Sequence, residues 1–461
     1  MKKLVITVMA FCSLLACKEQ PGKKEKQQEE QSKPAPVSDD VLETAVIYEA
    51  NIRQYSEEGS FNAFARDIPK LKELGVKIIW LMPVYPISST KSKGSLGSYY
   101  AITDYTKVNP EFGSMEDFRH LVKTAHDNDM YVILDWVANH TGWDHIWIKE
   151  HPEYYTQDKD GTIIDPLNPE TGESWDWTDV ADLNYDNQEM RQEMIRDMRY
   201  WIEEEGVDGY RCDVAHQVPV DFWEDAAAAL REIKPVFMLA EAEQPELLEN
   251  AFDMQYAWEG HHIMNEIAQG KKDVKAWDDY MAKNDTLLES DDIFMNFTSN
   301  HDENSWNGTV FERMGGAAET FAVMTYAIPG MPLIYSGQEY DMDKRLLFFE
   351  KDTIRKEKGK FYPLYEKLGK LKNNNKALHG GKNAAAYQRL ATSEDTKVLA
   401  FRREKEGDAL LFIANLTDKP VRFTVEAKGV FKDYETGEEH AVNPGTGFDF
   451  QPWEYLILTS E

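Results

Sequence analysis

Between residues 45 and 335 the chain repeats one pattern that few folds accommodate: a short apolar, β-prone run, an amphipathic helical stretch, then another short run. The runs fall at 45–49, 76–82, 131–136, 207–214, 236–240, 252–255, 293–297 and 333–335. Eight strands separated by helices predict an α/β protein built on a closed (β/α)8 TIM barrel, whose working face lies at the C-terminal ends of the strands. Polar residues should then follow the apolar runs, and they do. Asp135, Asn139 and His140 follow the third run, Arg211 and Asp213 close the fourth, Glu241 follows the fifth, and His301 and Asp302 follow the seventh.

The fourth run, 207–214, concentrates the question. Side chains alternate across a strand, so Arg211 and Asp213 share one face and Tyr210, Cys212 and Val214 the other. Two buried opposite charges must pair or do chemistry, and the guanidinium is expected to hold Asp213 ionised. A structural Arg–Asp pair explains this stretch as well as a nucleophile does, so the rest of the chain has to decide.

Around the barrel, residues 141–187 form an insertion with Trp143, Trp147, Trp175 and Trp177 and little helical periodicity, which reads as a small B subdomain or lid. Asp158-Lys159-Asp160-Gly161 within it lacks the later ligand positions of a calcium loop and reads as a hairpin turn. The barrel domain spans 41–380. From 381 to 461 strand follows strand, at 400–402, 410–415, 421–425 and 455–458, predicting an antiparallel β-sandwich.

Residues 1–17 read as an export signal: Met1-Lys2-Lys3, an apolar run, then Leu14-Leu15-Ala16-Cys17. This resembles a bacterial lipoprotein signal in which Cys17 is lipidated, with an ordinary cleaved signal peptide as the alternative. Residues 18–40, rich in Lys, Glu, Gln and Pro, read as a flexible tether. With Cys12 removed and Cys17 acylated, Cys212 has no disulfide partner and reads as a packed strand residue. The 51 basic and 82 acidic residues give a net charge of −31, which disfavours nucleic acid and anionic membranes as partners and favours a neutral substrate. The expected location is the bacterial cell envelope, with membrane contact only through the lipid.

Asp213, Glu241 and Asp302 end three different strands. Two carboxyl groups flanking a bond are the minimum for glycoside hydrolysis, one attacking or activating water and the other protonating the leaving oxygen. The same trio also suits divalent metals.

At these residues the chain resembles the α-amylase family, glycoside hydrolase family 13, from about residue 45 to the end. Asp135-Trp136-Val137-Ala138-Asn139-His140, Gly209-Tyr210-Arg211-Cys212-Asp213, Leu239-Ala240-Glu241 and Phe297-Thr298-Ser299-Asn300-His301-Asp302 resemble its four motifs in order. Asp182-Leu183-Asn184 lies where the family has a further motif. The resemblance implies Asp213 as nucleophile, Glu241 as acid/base and Asp302 as stabiliser of the distorted sugar. It implies substrate contacts from Tyr100, Asp135, His140, Arg211 and His301, with Tyr100 opening the similar stretch Tyr100-Ala101-Ile102-Thr103-Asp104-Tyr105. A retaining mechanism on α-glucosidic bonds would put the Asp213 and Glu241 carboxyls about 5 to 5.5 Å apart. Glu243, two residues on, is the rival acid, and Glu241 is preferred because it sits closest to the apolar run.

The chain departs from the family after the nucleophile, where His216-Gln217 replaces the usual Lys-His pair. That puts the leaving-side contacts and the family's Ca2+ site in question, with Asn139 the one matching ligand. The expected substrate is a starch-derived α-1,4-glucan or maltooligosaccharide. Endo or exo action, transglycosylation or isomerisation, and non-catalytic glycan binding stay open, though a binding protein would be expected to have lost the acids present here.

Overall fold

The computed structural model describes residues 36–460. The lipoprotein signal, Cys17 and most of the tether lie outside the described residues. The tether was expected to run to residue 40, but packing begins earlier. Val37 is buried and a helix forms over Asp39–Thr44, because Val37 and Leu42 find apolar partners, Ile47 and Phe237 among them, at the bottom of the barrel.

Eight parallel strands close the barrel: β1 (Ile47–Ala50), β2 (Ile78–Leu81), β3 (Tyr131–Trp136), β6 (Gly209–Cys212), β7 (Phe237–Ala240), β8 (Met254–Tyr256), β9 (Ile293–Asn296) and β10 (Met331–Tyr335). They pair in that order, and β10 returns to β1 through Ile47 beside Leu333. Each apolar run of the sequence becomes one strand, with bounds that differ by at most two residues.

Alternation sorts the side chains into two cores. Ile47, Ile78, Trp80, Ile133, Phe237, Leu239, Met254 and Met295 fill the interior, while Tyr48, Ile79, Leu134, Tyr210, Cys212 and Met238 pack outward against the helices. The inward parity is apolar near the strand starts and charged at their ends. It carries Glu49 above Ile47, Asp135 above Ile133, and Glu241 above Leu239. Gly209 opens β6 because a Cβ there would run into the Phe237 carbonyl.

After β3 the chain leaves the barrel through an antiparallel pair, β4 (His140–Gly142) and β5 (Val180–Asp182). The inserted segment hangs between them. The turn at 158–161 is a hairpin: Asp158 Oδ1 accepts from Asp160 N and Thr162 N, both at 2.9 Å, and Gln157 bridges Ile163.

Beyond the barrel, a six-stranded antiparallel sheet, built in the order 386–389, 398–405, 408–415, 455–459, 429–433 and 439–442, faces a two-stranded pair, 421–425 with 446–450. Val398, Leu411, Ile413, Phe423, Phe450 and Leu458 fill the space between them. No described helix is long and apolar enough to cross a membrane.

Candidate active site

The charged inward parity converges on two buried cations. Arg211, fully buried, places Nη1 2.8 Å from Asp135 and 2.9 Å from Asp213, and Nη2 2.8 Å from Glu241. Its guanidinium lies over the Trp80 ring at 4.9 Å, which seals it from below. Asp135 also accepts from Trp80 Nε1 and Tyr100 Oη, each at 3.1 Å.

His301 is the second cation. Its Nδ1 lies 2.5 Å from Glu49 Oε1, and its Nε2 lies 2.8 Å from Tyr100 Oη and 3.3 Å from Asp302. Burial alone would lower the imidazole, but the Asp302 and Glu49 carboxylates outweigh it and hold His301 up at about 9. An imidazolium there donates to Glu49 and to Tyr100, and Tyr100 in turn donates to Asp135, so the two cation centres form one network.

Three carboxyls thus face Arg211 and two face His301. Burial raises Glu49, Asp135, Asp213 and Asp302 alike against the pull of the two cations, so these four carboxyls hold protons beyond the ordinary carboxylate range. Burial, then the facing Glu241 and Asp135, push the Asp213 carboxyl well above the ordinary carboxylate range against the pull of Arg211. The expectation that Arg211 simply holds Asp213 ionised therefore needs correction. The pair forms, but its cation is shared three ways.

Local backbone serves the same geometry. Val214 adopts φ 41°, ψ 43°, a left-handed conformation costly for a β-branched residue, and its N–H donates to Glu241 Oε2 at 2.7 Å. Glu243 is turned away and accepts from Glu259 N at 2.9 Å in the first turn of the helix Trp258–Ala268. Burial lifts Glu243 to about 7, so its protonation resembles that of an acid catalyst while its position does not. Glu241→Gln is expected to abolish turnover and Glu243→Gln to leave it within a few-fold; the opposite pattern in steady-state assays would reverse the choice.

Tyr100, His140, Asp213, Glu241, His301 and Asp302 line one cavity of about 430 Å3. Asp135 and Arg211 lie beneath it, not on its wall. His140 is neutral, since burial drives it down to about 3. Trp177 stands edge-on to His140 at 5.9 Å and stacks on Trp175 at 5.7 Å, whereas Trp143 sits under Lys91 instead. His216 lies beside the Glu241 carbonyl, 3.5 Å from Nδ1.

Around the expected Ca2+ position the described side chains are poor in the charged oxygens that calcium favours. Asn139 turns its side-chain nitrogen to His140 Nδ1 at 3.3 Å, its backbone carbonyl accepts from Leu183 N, and no group of three or more His, Cys, Asp or Glu side chains converges among the described residues. A chelator is expected to leave the melting temperature unchanged; a drop of several degrees would reveal a structural ion.

Glu49 was missed from sequence. Its signal was there: an acid on the inward parity of an otherwise apolar strand. Glu49→Gln keeps an acceptor for His301 and removes a charge. Because His301 is raised on folding, its contribution to stability is present below about 6.5 and is lost as pH rises through its folded value. In Glu49→Gln that loss, and the alkaline limb of the rate profile, should begin at lower pH; unchanged profiles would exclude the coupling.

A closed parallel barrel whose strand ends deliver several carboxyls to one cleft has the architecture of a glycoside hydrolase. A model of the alpha-amylase catalytic domain matches residues 51–376, and the chain belongs to the alpha-amylase family. Alpha-amylase 3 of Dictyoglomus thermophilum is 26% identical over 81% of this chain and 84% of its own length. A 4-alpha-glucanotransferase of Thermotoga neapolitana is 29% identical over 62% of this chain and 68% of its own. Among solved structures, a maltogenic alpha-amylase from Thermotoga neapolitana superposes with a TM-score of 0.82 at 28% identity, covering 91% of this chain and 99% of that one. An alpha-amylase from Lactobacillus plantarum gives 0.81 at 30%, covering 92% and 100%.

Proposed function

We propose that this glycoside hydrolase cleaves α-1,4-glucosidic bonds in starch-derived glucans or maltooligosaccharides with retention of configuration, from an envelope position fixed by a lipid on Cys17. The observation that carries the mechanism is the placement of Asp213 and Glu241 on the two terminal nitrogens of one guanidinium. One guanidinium holding both carboxyls keeps them side by side at one point of the cleft, as a pair acting on a single bond requires.

In this reading Asp213, reacting in the carboxylate form that Arg211 favours, attacks the anomeric carbon as Glu241 passes its proton to the departing oxygen, forming a β-linked glycosyl-enzyme. Glu241, now a carboxylate, takes a proton from water, which displaces Asp213 and restores both groups. Tyr100 gives the sugar an apolar face, His140 and His301 bond its hydroxyls, and Asp302, about a third exposed into the cleft, meets the distorted ring. The acidic surface favours a neutral glycan. Relatives named as amylases and a cyclomaltodextrinase support the substrate class.

Product analysis on soluble starch, pullulan, cyclodextrin, maltose and sucrose, with Asp213→Asn as the blank, tests this. New reducing ends from starch are expected. Longer oligosaccharides without net new reducing ends would make the enzyme a transferase, as one named relative is. Mass spectrometry of the mature N-terminus tests the lipid: an unmodified terminus, or one beyond Cys17, would remove it.

A further inference from the structure

The loop at 88–97, between β2 and Tyr100, is tied to the rest of the barrel rim at several points. Asp144 holds its start, accepting from Ser88 Oγ at 3.1 Å, Ser89 N at 2.8 Å and Thr90 N at 2.9 Å. At its tip, Lys93 Nζ lies 3.0 Å from Asp179 and donates to Asp176 O at 2.9 Å, bridging the loop to the inserted segment. Ser95 N donates to Glu350 Oε1 at 2.8 Å and Leu96 N to Phe349 O at 3.0 Å, joining it to the segment after β10. Buried Arg53 grips the far side through Gly97 O at 3.1 Å and Leu96 O at 3.2 Å.

These ties leave little give. Gly94 adopts φ 65° against Phe349, and a Cβ there would collide with that side chain. The Asp179 carboxylate is only 8% exposed, so parting it from Lys93 would strand a buried charge. Both residues line the catalytic cavity. The loop is therefore a fixed wall, not a lid.

Chemistry says which end of the cleft it closes. Glu241 must face the departing oxygen, so the leaving part of the chain runs past Glu241 towards Val214 and His216. The retained sugar lies over Tyr100. Beyond Tyr100 come Phe348, stacked on it at 6.2 Å and 13°, and Phe349, 5.0 Å further, which is the residue the loop tip meets.

We propose that the 88–97 wall closes the cleft beyond the retained sugars, so that the enzyme works from the non-reducing ends of α-glucan chains and releases short maltooligosaccharides. This rests on the roles given to Asp213 and Glu241 above. A retained segment longer than the space before the wall has no exit, so the chain end itself is part of what the site recognises.

The test compares 4-nitrophenyl maltoheptaoside with the same compound carrying a 4,6-O-ethylidene group on its non-reducing sugar, with products separated and quantified by chromatography and no coupling enzyme present. The block should lower kcat/KM by at least about a hundredfold, the cost of a clash no contact offsets. Equal cleavage of both compounds overturns the proposal and leaves the hydrolase reading intact; cleavage of neither overturns both. The paired substitution Lys93→Ala with Asp179→Asn removes the bridge without leaving a lone charge, and should restore about tenfold or more of the blocked activity. A folded double variant, judged by its melting curve, that still rejects the blocked compound would mean the bridge is not what closes the cleft.

Discussion

Asp213→Asn is expected to lower turnover on maltooligosaccharides by on the order of 10^4-fold or more, since an amide cannot form the glycosyl-enzyme and the remaining groups do not replace it. The same variant should fold at least as well as the parent. Asp213 is buried at 7% exposure, and its carboxyl is raised by burial first and by Glu241 and Asp135 next. A group whose folded value is raised costs stability above its unfolded value when it must ionise, and asparagine relieves that cost while filling the same space. Melting curves near pH 7 should therefore show an unchanged or higher midpoint beside lost activity. A large loss of stability with Asp213→Asn would mean that Asp213 serves the fold.

Arg211→Ala should give the largest loss of stability. It would leave Asp135, Asp213 and Glu241 facing one another without their cation, and removing one partner of a buried ion pair costs about 3 to 5 kcal/mol. The deficit has a sign in pH. Without Arg211 the folded Asp135 and Asp213 carboxyls, already raised by burial, rise further, so the deficit should grow as pH climbs through the unfolded carboxylate range and shrink below about 4. Chemical denaturation at acidic and neutral pH checks both parts. A pH-independent deficit would point to lost packing against Trp80 and Tyr256 instead.

Much of this was legible because one parity rule does two jobs. The period-2 pattern that buries Ile133 and Leu239 also aims Asp135 and Glu241 into the same barrel mouth, so a list of strands is nearly a list of site residues. Glu49 obeys the same rule and was overlooked, because an acid in an apolar run draws notice only once its partner is known, and His301 lies 252 residues away.

The less legible parts depend on contacts that sequence does not order. The strands at 386–389, 429–433, 439–442 and 446–450 went unread. They alternate exposed positions with few apolar ones, as strands with one solvated face do, and lack the continuous runs that betrayed the barrel. The end wall of the cleft is assembled from 88–97, 175–180 and 346–350, through single charged side chains such as Lys93 and Glu350 that meet backbone groups far away in sequence. The sharing of Arg211 among three acids likewise follows from closure of the barrel, which sets β3, β6 and β7 side by side.

Whether Asp213 bonds to the sugar is tested most directly by the anomer released first. Proton NMR during the opening minutes of maltooligosaccharide cleavage, before mutarotation, should show the α-anomer, the product of two inversions at one carbon. First release of the β-anomer would mean a single displacement by water, and would contradict a nucleophilic Asp213.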